Sequence, residues 1–131
     1  MIKTNLLLFC YLIFTGCSTS PTTHISQTAL LAQIENNTVP VIIDVRSTSE
    51  YQSGHIKGAL HLPFYQTLSS NKLKKYNKNQ CFILYCEHGP RAGLSKMGLK
   101  ILGFKCIRYL EGHMKAWKAA KLPIKKAQYQ K

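Results

Sequence analysis

The segment Cys86-Glu87-His88-Gly89-Pro90-Arg91 carries residue types and spacing suited to chemistry. It follows a short apolar run, Cys81-Phe82-Ile83-Leu84-Tyr85, and precedes a helix-like stretch from Arg91 to Leu102. The order predicts a cysteine at the end of a buried strand, in a tight loop facing the start of a helix. Backbone N–H groups of such a loop, with the helix N-terminus behind them, stabilise a thiolate or another anionic sulfur. The chemistry expected is nucleophilic displacement at sulfur by Cys86. Gly89 permits a backbone conformation that a side chain would obstruct. Pro90 fixes its own φ and has no N–H to add to the cradle. Arg91, always cationic and forked, suits either an anionic donor or bracing of the loop. His88 is a candidate proton donor, and Glu87 opposes ionisation of the thiol unless it points away. Both residues either tune the choice of donor or face water.

A second pair, Asp44 and Arg46, sits at the carboxyl end of Val41-Ile42-Ile43-Asp44-Val45, a β-branched run typical of a strand buried on both faces. Sites in α/β domains gather at that end. Asp44 and Arg46 are expected to support the loop, with Arg46 reaching the donor or pairing with Glu50 at i,i+4. His55 and His61 are read as turn and packing residues, and Trp117 as core.

These positions require alternating strands and helices. The pattern predicts an edge strand at His24-Ile25, a helix from Gln27 to Asn36, the strand ending at Val45, and a short helix capped by Ser47 or Thr48. A strand at Ala59 to Leu62 stops at Pro63, and Tyr65 to Tyr76 reads as a helix. After the strand of Cys81 to Tyr85 and its helix, closed at Gly103, come a strand from Lys105 to Leu110 and a helix ended by Pro123. The expected class is α/β, three layers around a mainly parallel sheet of about five strands.

At 131 residues the chain has room for one ordinary domain. Its net charge of +13, with lysines clustered at 72–78 and 121–126, suits anionic lipid, polyanions, anionic small substrates or an acidic protein partner, or marks solvated helix faces. No nucleic-acid module is visible. Without a Cys-x-x-Cys or His-x-x-x-His pattern, neither a metal nor another cofactor is expected.

Residues 1–16 read as a signal peptide, with Lys3 before the apolar run Leu6 to Phe14. Ile13-Phe14-Thr15-Gly16-Cys17 resembles a bacterial lipobox, which implies cleavage before Cys17 and a diacylglyceryl thioether on its sulfur. Phe14 stands where leucine is usual. Ser18, rather than aspartate, resembles sorting to an outer membrane facing the periplasm. The alternatives are an uncleaved anchor or ordinary secretion. A polar tether at 17–23, a domain at 24–124 and a basic tail at 125–131 complete the plan. Cys81 and Cys106 each begin a strand; they could bridge if those strands are neighbours, and are expected as two buried thiols.

Together these motifs resemble a single-domain rhodanese from Ile25 to Pro123. The likeness rests on Asp44-Val45-Arg46, Glu50-Tyr51, Gly54-His55-Ile56-Lys57-Gly58-Ala59 with His61-Leu62-Pro63, the Cys-x-x-Gly-x-Arg loop of Cys86 to Arg91, and Leu102-Gly103-Phe104 with Tyr109-Leu110-Glu111-Gly112 and Trp117. Ala92 departs from a common serine. His113 departs from a usual glycine and is expected to narrow the pocket or to bring an imidazole near the sulfur. The resemblance implies transfer of sulfane sulfur from thiosulfate or a related donor to cyanide or a thiol through a Cys86 persulfide. The rivals are a phosphatase or arsenate reductase, a non-catalytic envelope lipoprotein, and a protein-to-protein persulfide carrier. Phosphatases of this type carry Cys-x5-Arg, and the ring from Cys86 to Arg91 is one residue shorter.

Overall fold

The computed structural model describes residues 23–127. The expected signal peptide, Cys17 and most of the tether lie outside the described residues. Five strands form one sheet: β1 (His24–Ile25), β2 (Val41–Asp44), β3 (Leu60–His61), β4 (Cys81–Tyr85) and β5 (Cys106–Leu110). Their order is β1-β5-β4-β2-β3, and every pairing is parallel. Four helices complete the domain: α1 (Gln27–Glu35), α2 (Thr48–Ser53), α3 (Pro90–Ile101) and α4 (His113–Ala119).

Side-chain alternation along β4 divides the core. Ile83 and Tyr85 pack with Leu30, Ile34, Met114 and Trp117 from α1 and α4. Phe82, Leu84 and Cys86 face the other way, against Ala92 and Leu99 of α3. This two-sided burial explains why the strand reads as an unbroken apolar run, and it makes the three-layer α/β/α arrangement.

Two expectations are corrected. Tyr65 to Tyr76 is not one helix but two short 3₁₀ turns, Phe64–Gln66 and Asn71–Leu73. The hydroxyls between them bond locally instead of sustaining a helix: Thr67 Oγ1 donates to the Phe64 carbonyl at 2.9 Å, and Ser70 Oγ accepts from Lys72 N–H at 3.2 Å. Cys81 and Cys106 are not two thiols but a disulfide. The parallel register sets them directly opposite each other on β4 and β5, with Cα atoms 4.4 Å apart. Beyond Pro123, Lys125 and His55 exchange two backbone hydrogen bonds of 2.8 Å, which hold the first residues of the basic tail against the domain. Among the described residues no helix is long and apolar enough to cross a membrane.

Candidate active site

Strand β4 delivers Cys86 to the carboxyl edge of the sheet, where the chain must turn to enter α3. Gly89 makes that turn at φ 131°, a conformation side chains rarely adopt, and a Cβ there would also stand 3.3 Å from His113 Nε2. Pro90 then occupies the first turn of α3, where its missing N–H costs nothing. The result folds the loop back over the sulfur, so that Gly89 N–H donates to Cys86 Sγ at 2.9 Å. Cys86 is buried and is the free cysteine among the described residues.

From below, the start of α4 pins the same loop. Met114 N–H donates to the Cys86 carbonyl at 3.0 Å and Lys115 N–H to the Glu87 carbonyl at 3.2 Å. His113 Nδ1 accepts the Cys86 N–H at 3.3 Å, which leaves the ring proton on Nε2. Burial, then the nearby His24 and His88, holds His113 below its ordinary pKa, so the imidazole is neutral at pH 7. It fills space beneath Gly89, and it bonds the backbone of the reactive residue.

Two ion-pair systems flank the loop. Arg46 is fully buried and binds both oxygens of Asp44, with Nε to Oδ1 at 3.0 Å and Nη2 to Oδ2 at 2.7 Å. Its Nη2 also donates to the Gly54 carbonyl at 2.7 Å, and its Nη1 to Glu87 Oε2 at 3.2 Å. Burial opposes the charge of Arg46, but the hydrogen bonds and field of Asp44 outweigh it and raise the guanidinium above its ordinary pKa. Glu87 is thereby drawn to Arg46 and to Lys118 Nζ, at 3.2 Å, and its charge is neutralised by two cations. On the other side Arg91 clamps Glu50 with two bonds of 2.6 and 2.9 Å. This clamp pulls the Glu50 carboxyl down to about 2, helped by Ser47 in a capping box at the start of α2.

The expected site residues thus converge, with one exchange of partners. Glu50 pairs with Arg91 rather than with Arg46, because Arg46 turns inward to Asp44. Arg91 braces the loop, and the field of Cys86 also favours its charge. His88 is exposed. His55 stacks on Tyr51 at 3.8 Å and His61 at 4.6 Å, as packing residues would. Sequence reasoning missed Tyr85, whose buried hydroxyl accepts Ile56 N–H at 3.1 Å beneath Asp44, and Lys118. The available signal was scarcity: the chain has five carboxylates, and three of them, Asp44, Glu50 and Glu87, lie within forty-four positions ending at the loop. Among the described residues no cluster of three or more His, Cys, Asp or Glu side chains could hold a metal.

A rhodanese-like domain model matches residues 26–120. The chain is 36% identical over 83 residues to the thiosulfate sulfurtransferase GlpE of Coxiella burnetii, covering 60% of this chain and 72% of that protein. It is 27% identical over 94 residues to the putative sulfur carrier protein YrkF of Bacillus subtilis, covering 72% of this chain and 50% of that one. The chain spans about half the length of the first curated relatives it matches. Among solved structures, the Alr3790 protein from Anabaena superposes with a TM-score of 0.69 at 25% identity, over 78% of this chain and 91% of that one.

Proposed function

Because the chain belongs to the rhodanese-like domain family, we propose that it is a sulfurtransferase working through a persulfide on Cys86. In the first step the Cys86 thiolate attacks the outer sulfur of thiosulfate. The S–S bond of the donor breaks, sulfite leaves with the bonding pair, and the outer sulfur remains on Cys86 as an anionic persulfide. In the second step cyanide or a thiolate attacks that sulfur, and the Cys86 thiolate is restored. The observation that carries this reading is the Gly89 N–H aimed at Sγ from a loop at the start of α3, a donor placed to hold negative charge on sulfur.

Arg91 and Arg46 act as positioning residues: each is committed to a carboxylate, and together they fix both sides of the loop. With Glu87 held by Arg46 and Lys118, the acid next to the nucleophile adds little repulsion to an anionic donor. The five-position spacing from Cys86 to Arg91 favours a sulfur atom over a tetrahedral phosphate. A second reading, a persulfide carrier that hands sulfur to a protein, shares the first step; the name of the Bacillus subtilis relative supports it. The site of action proposed is the bacterial cell envelope, with the chain held by a lipid on Cys17. The Cys81–Cys106 disulfide supports an oxidising compartment.

Intact mass of the purified chain, before and after thiosulfate, tests the first step. One sulfur atom is gained per molecule, cyanide removes it, and Cys86→Ser never acquires it. A folded chain with a free Cys86 thiol that gains nothing ends the sulfurtransferase reading. Cys17→Ser is expected to abolish incorporation of labelled palmitate; a parent chain that takes up no label rules out the thioether.

A further inference from the structure

The outer face of α3 carries an apolar surface that the sulfur chemistry does not use. Tyr65, Leu68, Leu94, Met97 and Ile101 are each between 54 and 74% exposed. With Gly98 they border a hollow of about 280 Å³. Leu94, Met97 and Ile101 recur three and four residues apart, the spacing of a buried stripe, yet α3 already buries its other side through Ala92, Ser95 and Leu99. The surface is preformed. Thr67 Oγ1 donates to Ser95 Oγ at 3.1 Å, and the absence of a Cβ at Gly98 lets the 64–68 turn close on the helix, since one would stand 3.0 Å from Thr67 Cγ2. A contiguous apolar patch of this kind marks a place of contact.

Charge identifies the partner. From Tyr51 to Leu110 the sequence has a single acid, Glu87, and its carboxylate is engaged by Arg46 and Lys118. Two basic hollows accompany the patch: Lys74 and Lys78 share one with Leu68, and Lys96 and Lys100, on α3 itself, line the other. Two copies meeting through this face would oppose lysine to lysine. Thr23, the first described residue, borders the same hollow as Lys96 and Lys100, beside α3. The stretch from Cys17 to Thr23 reaches only roughly 20 Å when fully extended.

We infer that the outer face of α3 and the 64–68 turn dock on an anionic phospholipid bilayer. The apolar stripe enters the headgroup boundary, Tyr65 sits at the interface, and the exposed Lys74 and Lys100 extend their stems along the surface to lipid phosphates, while Lys78 and Lys96 stay over the Phe104 and Tyr109 rings. This rests on the membrane tether proposed above and adds which face meets the lipid. The sulfur loop, at the N-terminal end of α3, then lies at one end of a helix running along the membrane.

Full-length Met97→Trp and Glu35→Trp, floated with phosphatidylethanolamine–phosphatidylglycerol vesicles whose acyl chains are brominated, test it. Bromine quenches indoles that enter the bilayer, and Trp117, buried against α1 and α4, supplies the background in both variants. The emission added by Met97→Trp is expected to fall by about half or more and shift to the blue, while that of Glu35→Trp, across the sheet on α1, is unchanged. The quenching weakens in phosphatidylcholine and in high salt. Flotation with no quenching at position 97, or equal quenching at both positions, overturns the docking face and leaves the tether standing. Failure to float overturns both. A blue shift at position 97 without vesicles, with doubled molecular mass, assigns the face to a second copy and overturns the lipid.

Discussion

Strand β4 begins and ends with cysteine chemistry of opposite kinds. At its amino end Cys81 is bonded to Cys106 of β5, and one residue past its carboxyl end Cys86 is a free, buried thiol. The difference does not come from the residue type. At the amino end the parallel register places a second cysteine opposite the first. At the carboxyl end the chain leaves the sheet, and a glycine turn brings an amide to the sulfur at 2.9 Å. One end of the strand is built to hold the fold and the other to hold charge on sulfur.

Separating the two ends experimentally would sharpen that contrast, and the largest effect is expected where they share support. Arg46→Met leaves Asp44 buried without its cation, at an expected cost of roughly 3–5 kcal/mol, and it also releases Glu87 beside Cys86. Stability in denaturant and sulfur uptake should fall together; a stable variant that has lost only uptake would make Arg46 a substrate ligand rather than a support.

The disulfide should break the contrast in one direction only. Cys81→Ser with Cys106→Ser opens a loop closed across a separation of 25 residues, and chain entropy sets the loss at about 3.5 kcal/mol. Sulfur uptake per folded molecule should survive. Its disappearance would show that the two ends are coupled through β4.

The smallest effect concerns the Glu50–Arg91 clamp. The folded carboxyl is lowered to about 2 from an ordinary value near 4.5, chiefly by Arg91. A depressed acid stabilises the fold above its unfolded pKa and loses that contribution as pH falls through the folded one. Thermal melts should therefore show Glu50→Gln less stable than the parent above about pH 4.5, by about 1 kcal/mol after screening at this partly exposed pair, with the curves converging toward pH 2. A gap that is constant with pH would mean that shape, not charge, joins α2 to the loop.

Much of this architecture was legible in particular residues. Val41 to Val45 and Cys81 to Tyr85 announced doubly buried strands through β-branched and apolar runs, and Gly89-Pro90 announced a turn into a helix. Partner choice was not legible. Arg46 and Glu50 stand four apart, yet Arg46 turns inward to Asp44 and leaves Glu50 to an arginine 41 positions away. The disulfide was hidden for a related reason: Cys81 and Cys106 become neighbours only once the order β5-β4 and its register are known. The 64–73 segment misled because its apolar residues recur at helical spacing, while Thr67, Ser69 and Ser70 bond to the nearby backbone instead.

The Cys81–Cys106 bond has a topological result as well. It closes a covalent ring that contains Cys86, the Gly89 turn, the whole of α3 and the apolar stripe on its outer face. A protease that cuts once anywhere inside that ring releases no fragment. The chain gains the mass of one water and stays a single molecule until a reductant opens the bond.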